Sequence, residues 1–212
     1  MPKLRFFSTI YHFSRNKIYG GLERFRIRVR NKRTRNLRLS GESDLKRWVN
    51  SNELDESWDE RTYMIGSMIE PNSSIIEFGA GNMKLRNKLP ENCTYQASDI
   101  ISRYPGVIAC DLNQEISIDL SKYDTAIFSG VLEYVYDIKA IISRLTEDVE
   151  KIILSYACRD ISNAPRLDRG WLSDYSREEL EKIFTTYNYE ILQYREWRNQ
   201  SIFSLRLKKL NQ

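Results

Sequence analysis

Histidine is almost missing from this sequence: a single one, His12, stands among 212 residues. Cysteine is scarce as well, with Cys93, Cys110 and Cys158 odd in number and widely spaced. These two shortages exclude any familiar zinc spacing and argue against a disulfide framework. No metal is expected, and a reducing cytoplasm is the natural setting. A run of about 18 consecutive apolar residues, the length a membrane-spanning helix needs, is also lacking. The first eight residues carry Lys3 and Arg5 but neither a long apolar stretch nor a small-residue cleavage site, so no secretory signal is read there. Nor is there an internal repeat, or a low-complexity segment apart from one basic stretch.

What is present suffices for a folded domain. Hydrophobic residues make up 41% of the chain, enough to bury a core, and the length suits one domain with an appendage. The formal net charge of +4 hides a division. Residues 1–40 hold 12 Lys and Arg against one acid, Glu23, a balance of +11. Residues 41–212 hold 21 basic and 28 acidic residues, a balance of −7. The expected organisation is a basic N-terminal extension over 1–40 and a globular domain over 41–212.

From about residue 73, short apolar runs alternate with helical periodicity, the pattern of a parallel sheet wrapped by helices. Strands are expected at 74–78, 94–98, 106–110, 124–129 and 151–156. Between the last two, Ile138, Ile141, Ile142 and Leu145 fall on one helical face. Ser176 with Glu179 reads as a capping box opening a helix whose buried stripe is Leu180, Ile183, Phe184 and Tyr187. Strands at 189–195 and 202–208 follow with no helix between them and are expected to pair antiparallel. Upstream, Ser57 and Glu60 read as a second capping box for a helix to about Ile69, and 44–52 as a further short helix.

The strongest chemical signal is Glu77-Phe78-Gly79-Ala80-Gly81-Asn82, at the end of a strand and opening an expected helix. Glycines there let the backbone turn sharply and approach a ligand. Asp99 lies 20 positions after Gly79 at the end of the next strand, where an acid can accept hydrogen bonds from two ribose hydroxyls. Asp111 ends the third strand and Ser129-Gly130 the fourth. Small or acidic residues thus stand at four successive carboxyl ends, where open α/β sheets bind ligands.

In these residues the chain resembles the class I S-adenosylmethionine-dependent methyltransferases, in particular the small-molecule branch, over roughly residues 58–208. The resemblance implies an α/β, Rossmann-like, seven-stranded and mostly parallel sheet with helices on both faces and an antiparallel last strand. It also implies S-adenosyl-L-methionine as cofactor: Glu77, Gly79 and Gly81 around the methionine moiety, Asp99 on the ribose, Ile100 against the adenine. Asp111 and the Leu112 amide would meet the adenine edge, with Ser129 and Gly130 flooring the meeting point with the acceptor. Two departures stand out. Met83 occupies a position often held by a third glycine, and Tyr134 one often held by histidine, which removes the obvious general base. Glu133, Tyr134 and Asp174 become the candidate catalytic groups, together with Tyr175 as a hydroxyl. The long loop 159–175 falls where the family covers its acceptor, so Trp171, Tyr175, Arg166 and Arg169 are candidate contacts to a small-molecule or glycan acceptor.

Alternatives stay open at this level. The family's Asn/Asp-Pro-Pro-aromatic segment for exocyclic base amines is absent, and no cysteine stands beside proline for attack on pyrimidine carbon, yet the basic extension keeps an RNA substrate in view. A non-catalytic module with the same fold is a further reading, and an NAD-type oxidoreductase is disfavoured by the lone G-x-G. In the extension, residues 24–30 alternate strictly and are expected to form a strand and hairpin with 35–39, behind an amphipathic helix. Basic residues interleaved with aromatic ones fit an anionic membrane surface, making the protein peripheral to the membrane, or a phosphate backbone. The remaining reading packs the apolar face on the domain.

Overall fold

The structure, a computed structural model, describes residues 3–50, 54 and 56–209, and among these the side chains from residue 20 onward. Seven strands form one sheet: β1 (Ser74–Phe78), β2 (Thr94–Asp99), β3 (Ile108–Ala109), β4 (Thr125–Phe128), β5 (Lys151–Tyr156), β6 (Tyr189–Trp197) and β7 (Gln200–Leu207). Their spatial order is β3-β2-β1-β4-β5-β7-β6. The first five are mutually parallel, and β7 runs antiparallel to both of its neighbours, β5 and β6. The chain starts in the middle at β1, winds outward to β3, then returns to β4. That reversal leaves a crevice at the carboxyl ends of β1 and β4.

Alternation along β1 divides the core. Ile76 and Phe78 face one side with Ala126, Phe128, Ile152 and Leu154, and Phe78 stacks on Phe128 at 5.0 Å. This side is covered by α4 (Ile138–Leu145), whose Ile138, Ile141, Ile142 and Leu145 are all buried, and by α6 (Arg177–Thr186) through Leu180, Ile183 and Phe184. Ile75, Ile127, Ile153 and Ile202 face the other side, against Ile65, Met68 and Ile69 in and after α3 (Asp59–Gly66). Each such side chain withdrawn from water contributes about 1.5–3 kcal/mol, so a one-residue slip of β1 would exchange two cores at once.

Three local expectations need correction. The Ser57–Glu60 capping box does not form: a 3₁₀ turn (Glu56–Trp58) leads into α3, whose cap is Trp58, and Glu60 instead accepts from the Trp197 indole at 2.8 Å. The box at Ser176 and Glu179 is present with both bonds. After the glycine loop there is a 3₁₀ turn (Lys84–Lys88) in place of an α-helix. Residues 24–30 are not a strand. They lie within one helix, α1 (Lys3–Ser40).

The helix wins over the hairpin because α1 has a tertiary partner for one face only. Thr34 Oγ1 donates to the Leu167 carbonyl at 2.8 Å, Arg30 Nε to Asp168 at 2.6 Å, and an Arg38 nitrogen to the Trp171 carbonyl at 2.8 Å. These contacts join α1 to the short helix α5 (Arg166–Arg169) inside the loop 159–175. Contacts therefore cross the boundary read at residue 40. A further short helix, α2 (Leu45–Trp48), follows, capped by Asp44, which is also ion-paired to Arg33.

Candidate functional site

The loop leaving β1 is shaped by its φ angles. Gly79 and Gly81 sit at +69° and +53°, and Met83 at +55°, so the left-handed conformation that favours glycine is retained where methionine stands. A Cβ on Gly79 would lie 2.7 Å from Val131 Cγ2, so the loop after β1 touches the segment after β4 through bare backbone. Asp99 closes the loop from the side. One of its oxygens accepts from the Gly81 amide at 2.8 Å and the other from Ile101 N at 3.2 Å, with Arg103 at 3.6 Å. A carboxylate offers about four acceptor positions, so this one retains capacity for ligand hydroxyls.

Around this loop opens a cavity at the carboxyl ends of the parallel strands. Glu77, Gly79, Gly81, Asp99, Ile100, Asp111, Leu112, Ser129 and Gly130 all line it, as does Tyr134. The sequence-predicted cofactor set is thus brought together on one wall and the floor of a single cavity. Glu77 is 2% exposed. Burial pushes its pKa to about 8, an effect opposed by the Tyr95 hydroxyl donating to it and reinforced by the charge of Asp99.

The opposite wall was not read from the sequence. Ser43 Oγ donates to Asp111 at 2.6 Å, and Asn113 donates to Ser43 Oγ at 2.8 Å and to the Tyr134 carbonyl at 2.9 Å, tying the linker after α1 to the rims of β3 and β4. Trp48 of α2 packs edge-on against Tyr134 at 4.9 Å, with the Arg47 guanidinium 4.7 Å from the Trp48 ring. At the floor, Thr62 and Ser129 share a hydroxyl bond of 3.1 Å, and the Ser155 hydroxyl accepts from Gly130 N at 2.9 Å. Arg61 of α3 lies across Gly130, between the rings of Trp58 and Trp197 at 5.8 Å each. Its guanidinium donates to Ser129 O and to Gln200 Oε1, and desolvation lowers its pKa despite the charge of Glu133.

Several candidate residues stand behind the cavity instead of in it. Glu133 is 1% exposed; one carboxylate oxygen accepts from the Ala157 amide at 2.8 Å, and burial raises its pKa, opposed chiefly by Arg61. Its carbonyl accepts from Leu172 N and Ser173 N, so Glu133 knits the segments after β4 and β5 to the covering loop. Asp174 is ion-paired with Arg166, whose other nitrogens donate to the Ala157 carbonyl. Trp171 is buried, with the Arg166 guanidinium 5.0 Å from its ring and its side chain bonded to Tyr134. Tyr175 packs on Tyr156 at 6.3 Å, and Arg169 holds Arg47 through its carbonyl. The loop 159–175 thus reaches the cavity through Leu172, while its aromatic and basic side chains brace it from outside. Arg166 is held there by Asp174, the Ala157 carbonyl and the Trp171 ring. Among the described residues no cluster of His, Cys, Asp and Glu is arranged to hold a metal.

No protein-family model matches the chain and no curated protein matches it by sequence. Solved structures do match it. The 1,6-didemethyltoxoflavin-N1-methyltransferase of Burkholderia thailandensis aligns with a TM-score of 0.57 at 12% identity, over 73% of this chain and 80% of that one. The mitomycin 7-O-methyltransferase MmcR aligns at 0.55 and 9%, over 74% of this chain and 56% of that one, so this chain spans little more than half of that enzyme. The [4+2]-cyclase SpnF aligns at 0.57 and 9%, over 70% and 80%. With the methyltransferases among these structures the chain shares its fold: its seven-stranded, mostly parallel sheet is that of the class I S-adenosylmethionine-dependent methyltransferases.

Proposed function

We propose that the chain binds S-adenosyl-L-methionine in this cavity and transfers its methyl group to an oxygen or nitrogen of a small molecule or glycan. The observation that carries the reading is the convergence of Asp99, Asp111 and the Asp99-locked glycine loop on one cavity wall. Asp99 would take the ribose hydroxyls, Ile100 an adenine face, and Asp111 with the Leu112 amide the adenine edge. Glu77, Gly79 and Gly81 would surround the methionine end, whose ammonium group suits the buried carboxyl. The donor set fits such a ligand because Asp99 keeps free acceptor positions toward the cavity after accepting from Gly81 N and Ile101 N. The bound cofactor supplies a methyl group on a strongly electrophilic sulfonium.

What the chain's own residues contribute is placement and exclusion of water. Trp48, Trp58, Tyr134 and Leu172 form the apolar part of the wall. Burial raises the pKa of Tyr134, so its hydroxyl stays neutral and orients an acceptor in preference to deprotonating it. Glu133 and Asp174 are engaged elsewhere. The acceptor this site suits is therefore already nucleophilic, such as an amine or an acidic hydroxyl.

Titration calorimetry with S-adenosylhomocysteine tests the assignment. Hydrogen bonds to a charged carboxylate contribute about 1.5–3 kcal/mol, so Asp99→Ala should weaken binding by roughly 10- to 100-fold. Unchanged affinity in a folded variant would remove the ribose role. A second reading, a module that holds the cofactor without transferring the methyl, is favoured by the lack, among the described residues, of an uncommitted base beside Tyr134. Labelled methyl transfer to any acceptor would exclude it.

A further inference from the structure

We propose that α1 is a docking helix for anionic lipid surfaces. The proposal is independent of the methyltransferase reading, because it rests on the face of α1 turned away from the domain.

The inner face of α1 is fixed by its contacts. Asn31 and Thr34 are half-buried and buried, Ile27 and Leu37 half-buried, and Thr34 is bonded to Leu167. At about 3.6 residues per turn, the opposite face carries Leu22, Phe25 and Val29, spaced i, i+3, i+7. These are 51%, 65% and 51% exposed. They form a continuous apolar stripe on a surface element that already has its tertiary partner on the other side. In the sequence, Leu4, Phe7, Tyr11 and Ile18 extend the same spacing.

Charge selects the occupant. The same periodicity sets Arg26 along one flank of the stripe, with Arg33 behind it paired to Asp44, and Arg24, Arg28, Lys32 and Arg35 along the other. Glu23 is the lone acid, and it is already shared between Arg26 and Arg30. A second copy of α1 laid on the stripe would bring two rows of cations against two more, which opposes self-pairing. A nucleic-acid backbone would satisfy the arginines and leave Phe25 and its neighbours in water. An anionic bilayer satisfies both: the stripe enters the headgroup boundary while the long basic side chains reach outward to lipid phosphates and carboxylates. No described helix is long and apolar enough to cross a membrane, so the mode is in-plane.

The test uses the full chain and vesicles of phosphatidylcholine with or without phosphatidylserine. Co-sedimentation is expected with the anionic vesicles at low salt, to fall as salt is raised, and to be absent with phosphatidylcholine alone. The variant Leu22→Asp/Phe25→Asp/Val29→Asp should bind at least about tenfold more weakly, while its Tm stays at the parent value because none of the three side chains is in the core. Three results would overturn the proposal: no binding of the parent to anionic vesicles; binding of the triple variant equal to the parent's; or light scattering showing a parent dimer in lipid-free buffer that the triple substitution makes monomeric.

Discussion

Substituting Arg61 by Met removes a buried positive charge while keeping most of the side-chain volume. Arg61 is 5% exposed and Glu133 1% exposed. Gln200 lies between them, accepting from the Arg61 guanidinium at 2.8 Å and donating to Glu133 at 3.5 Å. Burial lowers the Arg61 pKa and raises that of Glu133, and each charge opposes the other's shift. Removing one member of such a pair strands the other and costs about 3–5 kcal/mol. At about 2–4 °C per kcal/mol for a chain of this size, Tm should fall by roughly 6–20 °C. The fall should deepen with pH. A carboxyl whose folded pKa is raised keeps a proton that the unfolded chain releases, so stability drops as pH climbs from the unfolded pKa to the folded one, and Arg61→Met lifts the folded pKa further. Glu133→Gln in the same chain removes the stranded charge, and the cycle should show a coupling of at least about 1 kcal/mol. Scanning calorimetry on the four proteins at about pH 6 and about pH 8 supplies every term. A Tm within about 2 °C of the parent, or losses that simply add in the double variant, would refute the reasoning.

Two further outcomes follow from the same cavity. Glu77 has a folded pKa of about 8 against an ordinary 4.5, so the parent should lose more stability than Glu77→Gln as pH rises between those values; parallel melting curves across that range would show the carboxyl to be ionised in the folded state. Gly79→Ala places a Cβ 2.7–2.8 Å from Val131 at φ +69°, adding about 1–2 kcal/mol of left-handed strain to the overlap. Affinity for S-adenosylhomocysteine should fall at least about tenfold and recover in part with Val131→Gly, and a Gly79→Ala variant that binds as the parent does would mean that this contact does not shape the loop.

The sheet was legible because its central strands are buried on both faces, and a buried parallel strand is written as an apolar run such as Ser74-Ile75-Ile76 or Lys151-Ile152-Ile153-Leu154. The helix α4 was legible for the same reason at the helical period. The wall carrying Asp99 and Asp111 could be read because its residues end successive strands. The facing wall could not. Ser43 meets Asp111 across 68 positions and Arg61 meets Ser129 across another 68, and no local pattern encodes such meetings. The alternation at 24–30 misled for a physical reason: with arginine at every second place, both a strand and a helix leave the cations exposed. The contacts that dock α1 on the loop 159–175, through Arg30, Thr34 and Arg38, lie outside any local pattern. Trp171 and Tyr175 were placed in the right loop, but the sequence could not say that Arg166 and Tyr156 would occupy their faces.

Gln200 and Trp197, which hold Arg61 in the floor of the cavity, lie 139 and 136 positions downstream of it. The strand that Gln200 opens is inserted between β5 and β6, not added at an edge. Chains emerge from the ribosome amino end first, so a nascent polypeptide can pair β1, β4 and β5 while its floor still holds a guanidinium without its side-chain acceptor. The site is completed only when the last hairpin closes over it.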